Sequence, residues 1–364
     1  MKLLMAAGGT GGHVFPALAI ARTAVAKNRE TKVLFVGTPK GFESRSIPKE
    51  EFPLELISVG GLKGKRFSDR MRNMATLPAA FWASWKILRN FAPNVAFGIG
   101  GYASGPILLL AALRGLETAI LEPNAVPGFS NRVLSRFVHR VFLAFEEAKS
   151  RLPERKCLVV GNPIRSEILR VAPPIFSGEK RTLLIFGGSQ GAHRLNDAMI
   201  HALPFLETLK EKLFMIHQTG ARDELAVRKA YRDRSFQAEV HPFIDGMSEA
   251  YGRADLVIGR SGSSVMEIAA CGRPSILVPF PYAADDHQRM NGRIFAQAGA
   301  AIYIEDQDCS GETLAKAIRE LVTNPNRLRE MSVQALRFRH EDAADRIVQE
   351  LTQMSGSRSE REAA

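Results

Sequence analysis

The sequence predicts an α/β protein with two similar halves, each a doubly wound parallel sheet. The prediction rests first on a repeated pattern, an apolar run followed by a glycine cluster, at residues 2–13 (KLLMAAGGTGGH) and 182–193 (TLLIFGGSQGAH) of the 364. It rests second on the alternation of short apolar runs with helix-forming stretches along the rest of the chain. A strand that leads through a glycine turn into a helix presents backbone N–H groups and the helix dipole to phosphate. We therefore expect a phosphate-bearing ligand held between the two halves.

In the first half, further strands are predicted at KVLFVG (32–37), in NVAFGIGGYASGP (94–106) and in TAILEPN (118–124). In a doubly wound sheet, ligands bind at the carboxyl ends of the strands. Two glycine loops therefore meet at one edge and serve either one long pyrophosphate or two separate ligands. The residues expected at this edge are Gly8–Gly12, Gly100, Gly101, Ser104, Gly105, Glu122 and Asn124.

A domain junction is predicted near GNPIRSEI (161–168), where a strand-like CLVVG meets Asn-Pro. Beyond it the alternation resumes, with strands in LFMIHQTG (213–220), ADLVIGRSG (254–262) and PSILVPFP (274–281).

The composition is that of a globular protein, with 45% hydrophobic and 24% charged residues. The three cysteines show no metal-binding spacing, and their odd number argues against a disulfide framework, so a reducing cytosol is expected. The N-terminus leads directly into a strand-like run, so no signal peptide is expected. No uninterrupted apolar stretch is long enough to cross a bilayer.

The net charge of +11 is concentrated in one half of the chain. Residues 1–160 hold 23 Lys and Arg against 11 Asp and Glu, whereas residues 161–364 hold 26 against 27. Nucleic acid, an anionic membrane surface or a phosphorylated ligand would each account for the excess.

Much of this charge precedes an apolar segment that holds both tryptophans, Trp82 and Trp85. Pro78 is predicted to start or kink a helix, on which Phe81, Trp85 and Leu88 share one face. This face either packs in the domain core or lies in a membrane interface, and the two interpretations stay open. The cations concerned are Lys63, Lys65, Arg66, Arg70 and Arg72.

The stretch from Asp255 to Asn291 has the outline of a nucleotide-sugar site. Ser263 and Ser264, at a helix start, are suited to a diphosphate, and Glu267 is suited to the two hydroxyls of a ribose. His287 and Gln288 offer donors and acceptors to sugar hydroxyls. The alternative is purely structural, with Ser263 as an N-cap and Glu267 as a first-turn acid.

At these residues the chain resembles the MurG family of bacterial glycosyltransferases. The resemblance rests on the glycine-rich loops, on GNPIR, FIDGM, RSG…E and DHQ…N, and extends from Gly8 to about Asn291. It implies the GT-B architecture, two Rossmann-like domains with parallel sheets facing across a cleft. The implied reaction moves N-acetylglucosamine from UDP-N-acetylglucosamine to the 4-hydroxyl of undecaprenyl-diphosphate-linked N-acetylmuramyl-pentapeptide, converting lipid I to lipid II in peptidoglycan synthesis.

The resemblance also implies a domain plan and a location. Residues 1–163 would form the acceptor- and membrane-facing domain and residues 164–335 the donor domain. Residues 336–352 would form a helix that packs back on the first domain, and 353–364 a disordered tail. The protein would lie peripherally on the cytoplasmic face of the cell membrane, on anionic lipid and near the cell-wall synthesis machinery, without nucleic acid or cofactor.

The resemblance assigns roles to single residues. The family commonly has five residues between RSG and the glutamate where this chain has four, so positions are counted back from Glu267. Ile244 would meet the uracil through its backbone, Glu267 the ribose, and His287 and Gln288 the N-acetylglucosamine. For the donor, the implied contacts are Asn124 on the sugar and Arg165 and Ser189 on the diphosphate. Thr10, Gly11 and Gly12 would lie near the reaction centre. The second glycine loop (Gly100, Gly101, Ser104 and Gly105, with Tyr102) would contact the acceptor's diphosphate.

The family inverts the anomeric carbon in a single displacement, which requires a base near the acceptor hydroxyl. His13, directly after the first glycine loop, is the first candidate, and Glu122 is the second. The alternative for His13 is that it only orients the loop. Helix N-termini and Arg165 are able to stabilise the departing UDP without a metal. The single D-x-D, at 306–308, is interpreted as part of a helix start.

Other classes of protein fit less well. A dehydrogenase requires G-x-G-x-x-G, which neither glycine cluster completes. A nucleic-acid binder would explain the charge but not the second half. The remaining alternative is another GT-B lipid glycosyltransferase or a sugar-nucleotide epimerase.

Overall fold

The computed structural model describes residues 1–59, 76–188 and 191–363, the last seven of these by their backbone alone. The chain divides into two units. Unit 1 comprises Met1–Arg165 and His340–Ala364, and unit 2 comprises Ser166–Arg339. Each unit has its own parallel sheet and its own hydrophobic core.

Unit 1 contains a seven-stranded parallel sheet in the order β3-β2-β1-β4-β5-β6-β7. Its inner strands are mainly apolar because helices cover both faces of the sheet. Leu3, for example, pairs with Val33 on one side and Val95 on the other, and all three are buried. The strands are β1 (Lys2–Ala6), β2 (Lys32–Gly37), β3 (Leu54–Leu56), β4 (Val95–Gly98), β5 (Glu117–Glu122), β6 (Arg140–Leu143) and β7 (Cys157–Val159).

The helices between these strands form two layers. Residues of α1 pack on one face of the sheet, and residues of α3 and α4 pack on the other. The described helices of this part of the chain are α1 (Gly11–Lys27), α2 (Glu43–Ser46), α3 (Leu77–Phe91), α4 (Ser104–Leu113) and α5 (Phe129–Leu134).

Unit 2 contains a six-stranded parallel sheet in the order β10-β9-β8-β11-β12-β13. Its strands are β8 (Arg181–Phe186), β9 (Leu213–Gln218), β10 (Gln237–His241), β11 (Leu256–Arg260), β12 (Ser275–Val278) and β13 (Ala301–Tyr303). Its helices are α6 (Ser166–Leu169), α7 (His193–Ala202), α8 (Glu224–Asp233), α9 (Met247–Arg253), α10 (Ser264–Ala270), α11 (His287–Gln297), α12 (Gly311–Val322) and α13 (Pro325–Leu336).

The last helix, α14 (Ala343–Ala363), belongs to unit 1 although the chain reaches it from unit 2. Its side chains Ile347, Val348 and Leu351 are buried in the same core as those of α1. The structure differs from the predicted disordered tail, because α14 continues to Ala363. Most residues of this segment favour helix, and Gly356 is its one strong helix breaker.

Helix α3 has Pro78 in its first turn, as predicted, and a buried face that includes Ser84 and Leu88. The two tryptophans lie outside that face. Trp82 is 67% exposed and stacks on the half-buried Trp85 with ring centroids 5.1 Å apart. Of the three residues predicted to share a face, Phe81, Trp85 and Leu88, only Leu88 is buried in the core, while Phe81 and Trp85 are partly exposed. The basic run at Lys63–Arg72 lies outside the described residues.

Both sheets have a switch point, where the strand order reverses and loops diverge to opposite faces. In unit 1 it lies between β1 and β4, and in unit 2 between β8 and β11. Ligands of doubly wound sheets bind in the crevice beyond the carboxyl ends of the strands at such points. The glycine loops that follow β1, β4 and β8 and the RSGSS segment that follows β11 all lie there.

Candidate active site

At the unit 1 switch point, the first two glycine loops touch. His13 Nδ1 lies 2.9 Å from the carbonyl oxygen of Gly8. A Cβ on Gly101, whose φ is +81°, would lie 2.4 Å from the same oxygen, so only glycine allows this approach. A Cβ on Gly100 would lie 3.4 Å from His13 Nε2. The structure thus brings the predicted base against the predicted acceptor loop.

The side chain of Ser104 has a different place from the one predicted. It is fully buried, and its hydroxyl lies 2.9 Å from the carbonyl oxygen of Ala6 and 2.6 Å from that of Gly100. It therefore ties the second glycine loop to β1 instead of facing a ligand. Tyr102, in the same loop, is 54% exposed, and a Cβ on Gly105 would meet only Ser130 Oγ at 4.0 Å.

Glu122 is not placed to act as a base. It is 1% exposed, and its two carboxylate oxygens accept four hydrogen bonds between 2.9 and 3.1 Å. The donors are the backbone N–H groups of Asn124 and Gly128 and the side-chain amides of Asn124 and Asn131. Burial raises the pKa of Glu122, and these donors oppose that rise. The carboxylate holds the loop after β5 and so orients Asn124.

A buried acid that the sequence analysis missed, Glu43, lies below the first glycine loop. Its Oε2 accepts from the N–H of Gly9 at 2.8 Å, and its Oε1 accepts from the N–H and hydroxyl of Thr38 at 2.7 and 2.9 Å. The signal available in the sequence was the GTPKGFE segment (37–43), where closely spaced glycines precede the acid.

The other predicted residues of unit 1 lie around the start of α1. Thr10 is exposed at the N-cap position, and Gly11 and Gly12 begin the helix. The guanidinium of Arg165 lies over the ring of Phe15 at 4.2 Å, a cation–π contact that fixes it beside the first turn of α1.

In unit 2, the glycine loop after β8 is packed against β9. A Cβ on Gly191, whose φ is +75°, would lie 2.1 Å from the carbonyl oxygen of Thr219. Gln218, which the sequence analysis did not single out, donates from Nε2 to the carbonyl oxygen of Gly188 at 2.9 Å. Its Oε1 accepts from the N–H of Ile244 at 2.8 Å. Ser189, a predicted diphosphate contact, lies outside the described residues.

The bond to Gln218 refines the role predicted for Ile244. Its N–H is engaged within the protein, so its carbonyl oxygen is the backbone group to consider for the base of a nucleotide. A carbonyl oxygen accepts hydrogen bonds, and N3–H of a uracil is a donor.

Helix α10 starts at Ser264, with Ser263 at the N-cap position and Glu267 in the first turn. The Ser263 side chain makes no capping hydrogen bond, so the purely structural interpretation of this residue fails. Glu267 is half-buried, and its Oε2 accepts a long hydrogen bond of 3.5 Å from the hydroxyl of Tyr251. The shorter spacing after RSG thus still leaves both serines and the glutamate at one helix start.

His287 and Gln288 begin α11, after two residues with left-handed backbone, Asp285 (φ 56°) and Asp286 (φ 55°). His287 Nδ1 donates to the carbonyl oxygen of Ala284 at 2.7 Å, which makes Nε2 the acceptor of the neutral ring. Gln288 Oε1 accepts from the N–H of Phe280 at 2.9 Å. Strained backbone of this kind is common at functional sites.

The D-x-D segment has a role other than a helix start. Asp306 is buried and accepts from Arg260 Nη1 at 2.6 Å, while Ser310 caps α12 by accepting from the N–H of Thr313. A buried guanidinium requires a paired acid, and Asp306 supplies it. Among the described residues, no group of three or more His, Cys, Asp or Glu is arranged to hold a metal ion.

Two units with parallel sheets, glycine loops at both switch points and a Ser–Glu helix start are typical of the GT-B class of nucleotide-sugar enzymes. The chain belongs to glycosyltransferase family 28: the N-terminal domain of that family matches residues 3–143, and its C-terminal domain matches residues 182–347.

Named relatives agree with this membership. A protein of Myxococcus xanthus named UDP-N-acetylglucosamine--N-acetylmuramyl-(pentapeptide) pyrophosphoryl-undecaprenol N-acetylglucosamine transferase is 48% identical over 92% of this chain and 88% of its own length. A relative of the same name from Geotalea uraniireducens is 44% identical over 97% and 98%. The crystal structure of Acinetobacter baumannii MurG superposes with a TM-score of 0.78 at 31% identity, covering 97% of this chain and 99% of that one.

Proposed function

We propose that this protein transfers N-acetylglucosamine from UDP-N-acetylglucosamine to undecaprenyl-diphosphate-linked N-acetylmuramyl-pentapeptide, the step from lipid I to lipid II in peptidoglycan synthesis. The observation that carries the proposal is the sequence identity of 48% and 44% to two relatives that bear the name of this activity, over 88% and 98% of their own lengths. Both units take part in the match, so donor and acceptor functions are carried over together.

The donor is assigned to residues of unit 2 and to Arg165, which belongs to unit 1. Glu267 lies in the first turn of α10, where its carboxylate is able to accept from both hydroxyls of a ribose. Ser263 and Ser264, with Arg165 and Ser189, are assigned to the diphosphate, and the Ile244 carbonyl to the uracil. His287 and Gln288, held in place by Ala284 and Phe280, are assigned to the sugar hydroxyls.

The acceptor is assigned to unit 1, with His13 as the base. A carbonyl oxygen only accepts hydrogen bonds, so the contact with Gly8 places the proton of a neutral His13 ring on Nδ1. Nε2 is then the basic nitrogen, on the side of Gly100. It would take the proton of the acceptor 4-hydroxyl as that oxygen attacks the anomeric carbon and UDP leaves. The reacting atoms are assigned a surrounding of four residues: Thr10, Gly11, Gly12 and Asn124. The acceptor's diphosphate is assigned to Tyr102 and the second glycine loop.

The acceptor's lipid requires a membrane surface, for which the outer helices of unit 1 are suited. Trp82 on α3, Leu113 at the end of α4 and Phe129 on α5 are all more than half exposed. Cations lie on the same helices, including Lys86 and Arg89, whose guanidinium lies over Trp85 at 5.3 Å. We assign these helices to peripheral contact with anionic lipid on the cytoplasmic face of the membrane, near other enzymes of wall synthesis. None of the helices described has the length and apolarity needed to cross a membrane.

One assay tests the reaction. Purified protein is incubated with UDP-N-acetylglucosamine labelled in the sugar and with a soluble lipid I analogue, and the disaccharide product is counted. We expect label in the disaccharide only when both substrates are present. Conversion of UDP-N-acetylglucosamine to an epimer without acceptor would overturn the proposal in favour of the epimerase class, and transfer to a different lipid sugar would favour another lipid glycosyltransferase.

A further inference from the structure

The peptide group between Gly8 and Gly9 makes a hydrogen bond at each end. Its carbonyl oxygen accepts from His13 Nδ1 at 2.9 Å, and its N–H donates to Glu43 Oε2 at 2.8 Å. The carboxylate and the imidazole are therefore joined through a single peptide unit. Hydrogen bonds in such a chain polarise one another, so a bond to a carboxylate at the N–H strengthens the carbonyl as an acceptor.

The position of Glu43 is closely defined by its surroundings. Its side chain is fully buried, and a Cβ on any of three neighbouring glycines would overlap it: at Gly8 by lying 2.5 Å from Oε1, at Gly37 2.4 Å from Cγ and at Gly41 2.0 Å from Oε2. Bonds from Thr38 hold its other oxygen. A buried carboxylate without partners is costly, and here the N–H of Gly9 is one of the partners that compensate burial.

The glycine loop is also held from the side of α2. The N–H of Phe42 lies 3.4 Å from the carbonyl oxygen of Gly9, next to the bond that Glu43 makes to the Gly9 N–H. Both backbone polar groups of Gly9, whose φ is +97°, are thus engaged by the segment that carries Glu43.

We propose that Glu43 is a positioning residue for catalysis, which acts on His13 through the Gly8–Gly9 peptide. It orients the Gly8 carbonyl and strengthens it as an acceptor, so that the neutral imidazole carries its proton on Nδ1 and presents a basic Nε2. In a catalytic triad, a carboxylate orients the catalytic histidine through a direct hydrogen bond. Here a peptide group lies between the carboxylate and the imidazole. The role in turnover rests on the proposed function of His13, whereas the effect on its tautomer does not.

The test compares Glu43→Gln with the parent protein by two readouts. The first is the tautomer of His13, read from the ring-nitrogen chemical shifts of 15N-labelled protein and assigned with a His13→Gln sample. The second is the kinetics of transfer. We expect the Nδ1–H form in the parent, a mixture of tautomers in Glu43→Gln, and a kcat lower by about tenfold or more, with KM for UDP-N-acetylglucosamine changed by less than about twofold.

Thr38→Val is the matched control. It removes the hydroxyl donor to Oε1 and leaves the bond between Oε2 and the Gly9 N–H, so it perturbs the same carboxylate without touching the peptide. We expect the parent tautomer and a kcat within about threefold of the parent. If Glu43→Gln does not fold, as judged by circular dichroism, Glu43→Asp keeps a carboxylate in the pocket but withdraws it by one methylene from the Gly9 N–H, and the same two changes are expected.

The outcomes separate this proposal from the proposed function. An unchanged Nδ1–H tautomer in a folded Glu43 variant would overturn the role of Glu43, whatever the activity. A changed tautomer of His13 with an unchanged kcat would also overturn the proposal that Glu43 is a positioning residue for catalysis. If His13→Ala instead retains full kcat, the role of His13 as the base fails, while the tautomer measurement still reports on Glu43.

Discussion

The backbone N–H of Ile244 donates to Gln218 Oε1 at 2.8 Å, and Gln218 Nε2 in turn donates to the carbonyl oxygen of Gly188 at 2.9 Å. One buried amide thus joins the loop assigned to the nucleobase to the loop assigned to the diphosphate. Since two assigned contacts depend on one side chain, its removal should affect nucleotide binding as a whole.

Gln218→Leu should raise KM for UDP-N-acetylglucosamine by about tenfold, because a buried hydrogen bond left unmade costs about 1–3 kcal/mol. KM and calorimetric binding of UDP measure the effect. Gln237→Leu, on the exposed start of β10, is the control and should change neither. Normal UDP affinity in a folded Gln218→Leu protein would separate this residue from the nucleotide.

Glu267→Ala should weaken donor binding while the fold stays intact, because the proposed bonds to the ribose are lost. Bonds to a charged group contribute roughly 1.5–3 kcal/mol, which corresponds to a rise in KM of about tenfold to hundredfold. Steady-state kinetics with varied UDP-N-acetylglucosamine measures it. Glu249→Ala, an exposed acid on α9, should leave KM unchanged. An unaltered KM in Glu267→Ala would remove Glu267 from the site.

His13→Ala should lower kcat by about 10²–10⁴-fold if Nε2 takes the acceptor proton. Kinetics at saturating concentrations of both substrates measures this. His201→Ala, an exposed histidine at the end of α7, should have no effect. A change confined to KM would mean that His13 only arranges the first glycine loop.

Trp82→Ala should reduce binding to vesicles that contain anionic lipid and leave the melting temperature unchanged, since this side chain is 67% exposed. Leu88→Ala, on the buried face of the same helix, should instead cost about 2–5 kcal/mol of stability. Vesicle sedimentation and thermal unfolding measure the two effects.

Substitutions in the basic run that precedes α3 in the sequence test the proposed membrane binding by charge. Replacing Lys63, Lys65, Arg66 and Arg70 with Ser should weaken vesicle binding but not turnover on a short-chain, soluble acceptor. High salt should also release the parent protein, because exposed charges are screened within about 10 Å at 0.1 M. Vesicle binding equal to that of the parent would show that the run is ordinary solvated surface.

Stability should fall in mild acid because of His217. Burial lowers the pKa of this imidazole to about 3, whereas it is about 6.5 in an unfolded chain. Between these values the unfolded state binds a proton that the folded state does not, so stability decreases as the pH falls below about 6.5. From pH 7 to pH 5 this group should cost about 2 kcal/mol, measured by urea unfolding. His217→Asn should show a correspondingly flatter dependence, and an unchanged slope would assign the acid sensitivity to other groups.

Much of the fold was predictable from periodicity and glycine placement. The runs predicted as strands at 32–37 and in the 213–220 and 254–262 segments are β2, β9 and β11. Local pattern suffices here because a strand buried on both faces must be continuously apolar, and a tight phosphate-type turn requires glycine. The loops that carry His13, Gly101 and Glu267 are therefore predictable from the sequence.

The roles of the polar residues below those loops were not predictable in this way. Glu122 at the end of a strand has the same local sequence signal whether it faces a ligand or accepts four internal hydrogen bonds, and only its burial separates the two. Asp306 pairs with Arg260 from 46 residues away, and Gln218 bonds to Ile244 from 26 residues away.

The α/β class, the strands and the loops that meet at each sheet edge follow from short-range sequence pattern and from the requirement for glycine in tight turns. Which acids and amides hold those loops depends on the folded chain. A buried hydrogen bond is satisfied by whichever residue folding brings within about 3 Å, and sequence spacing does not encode that distance.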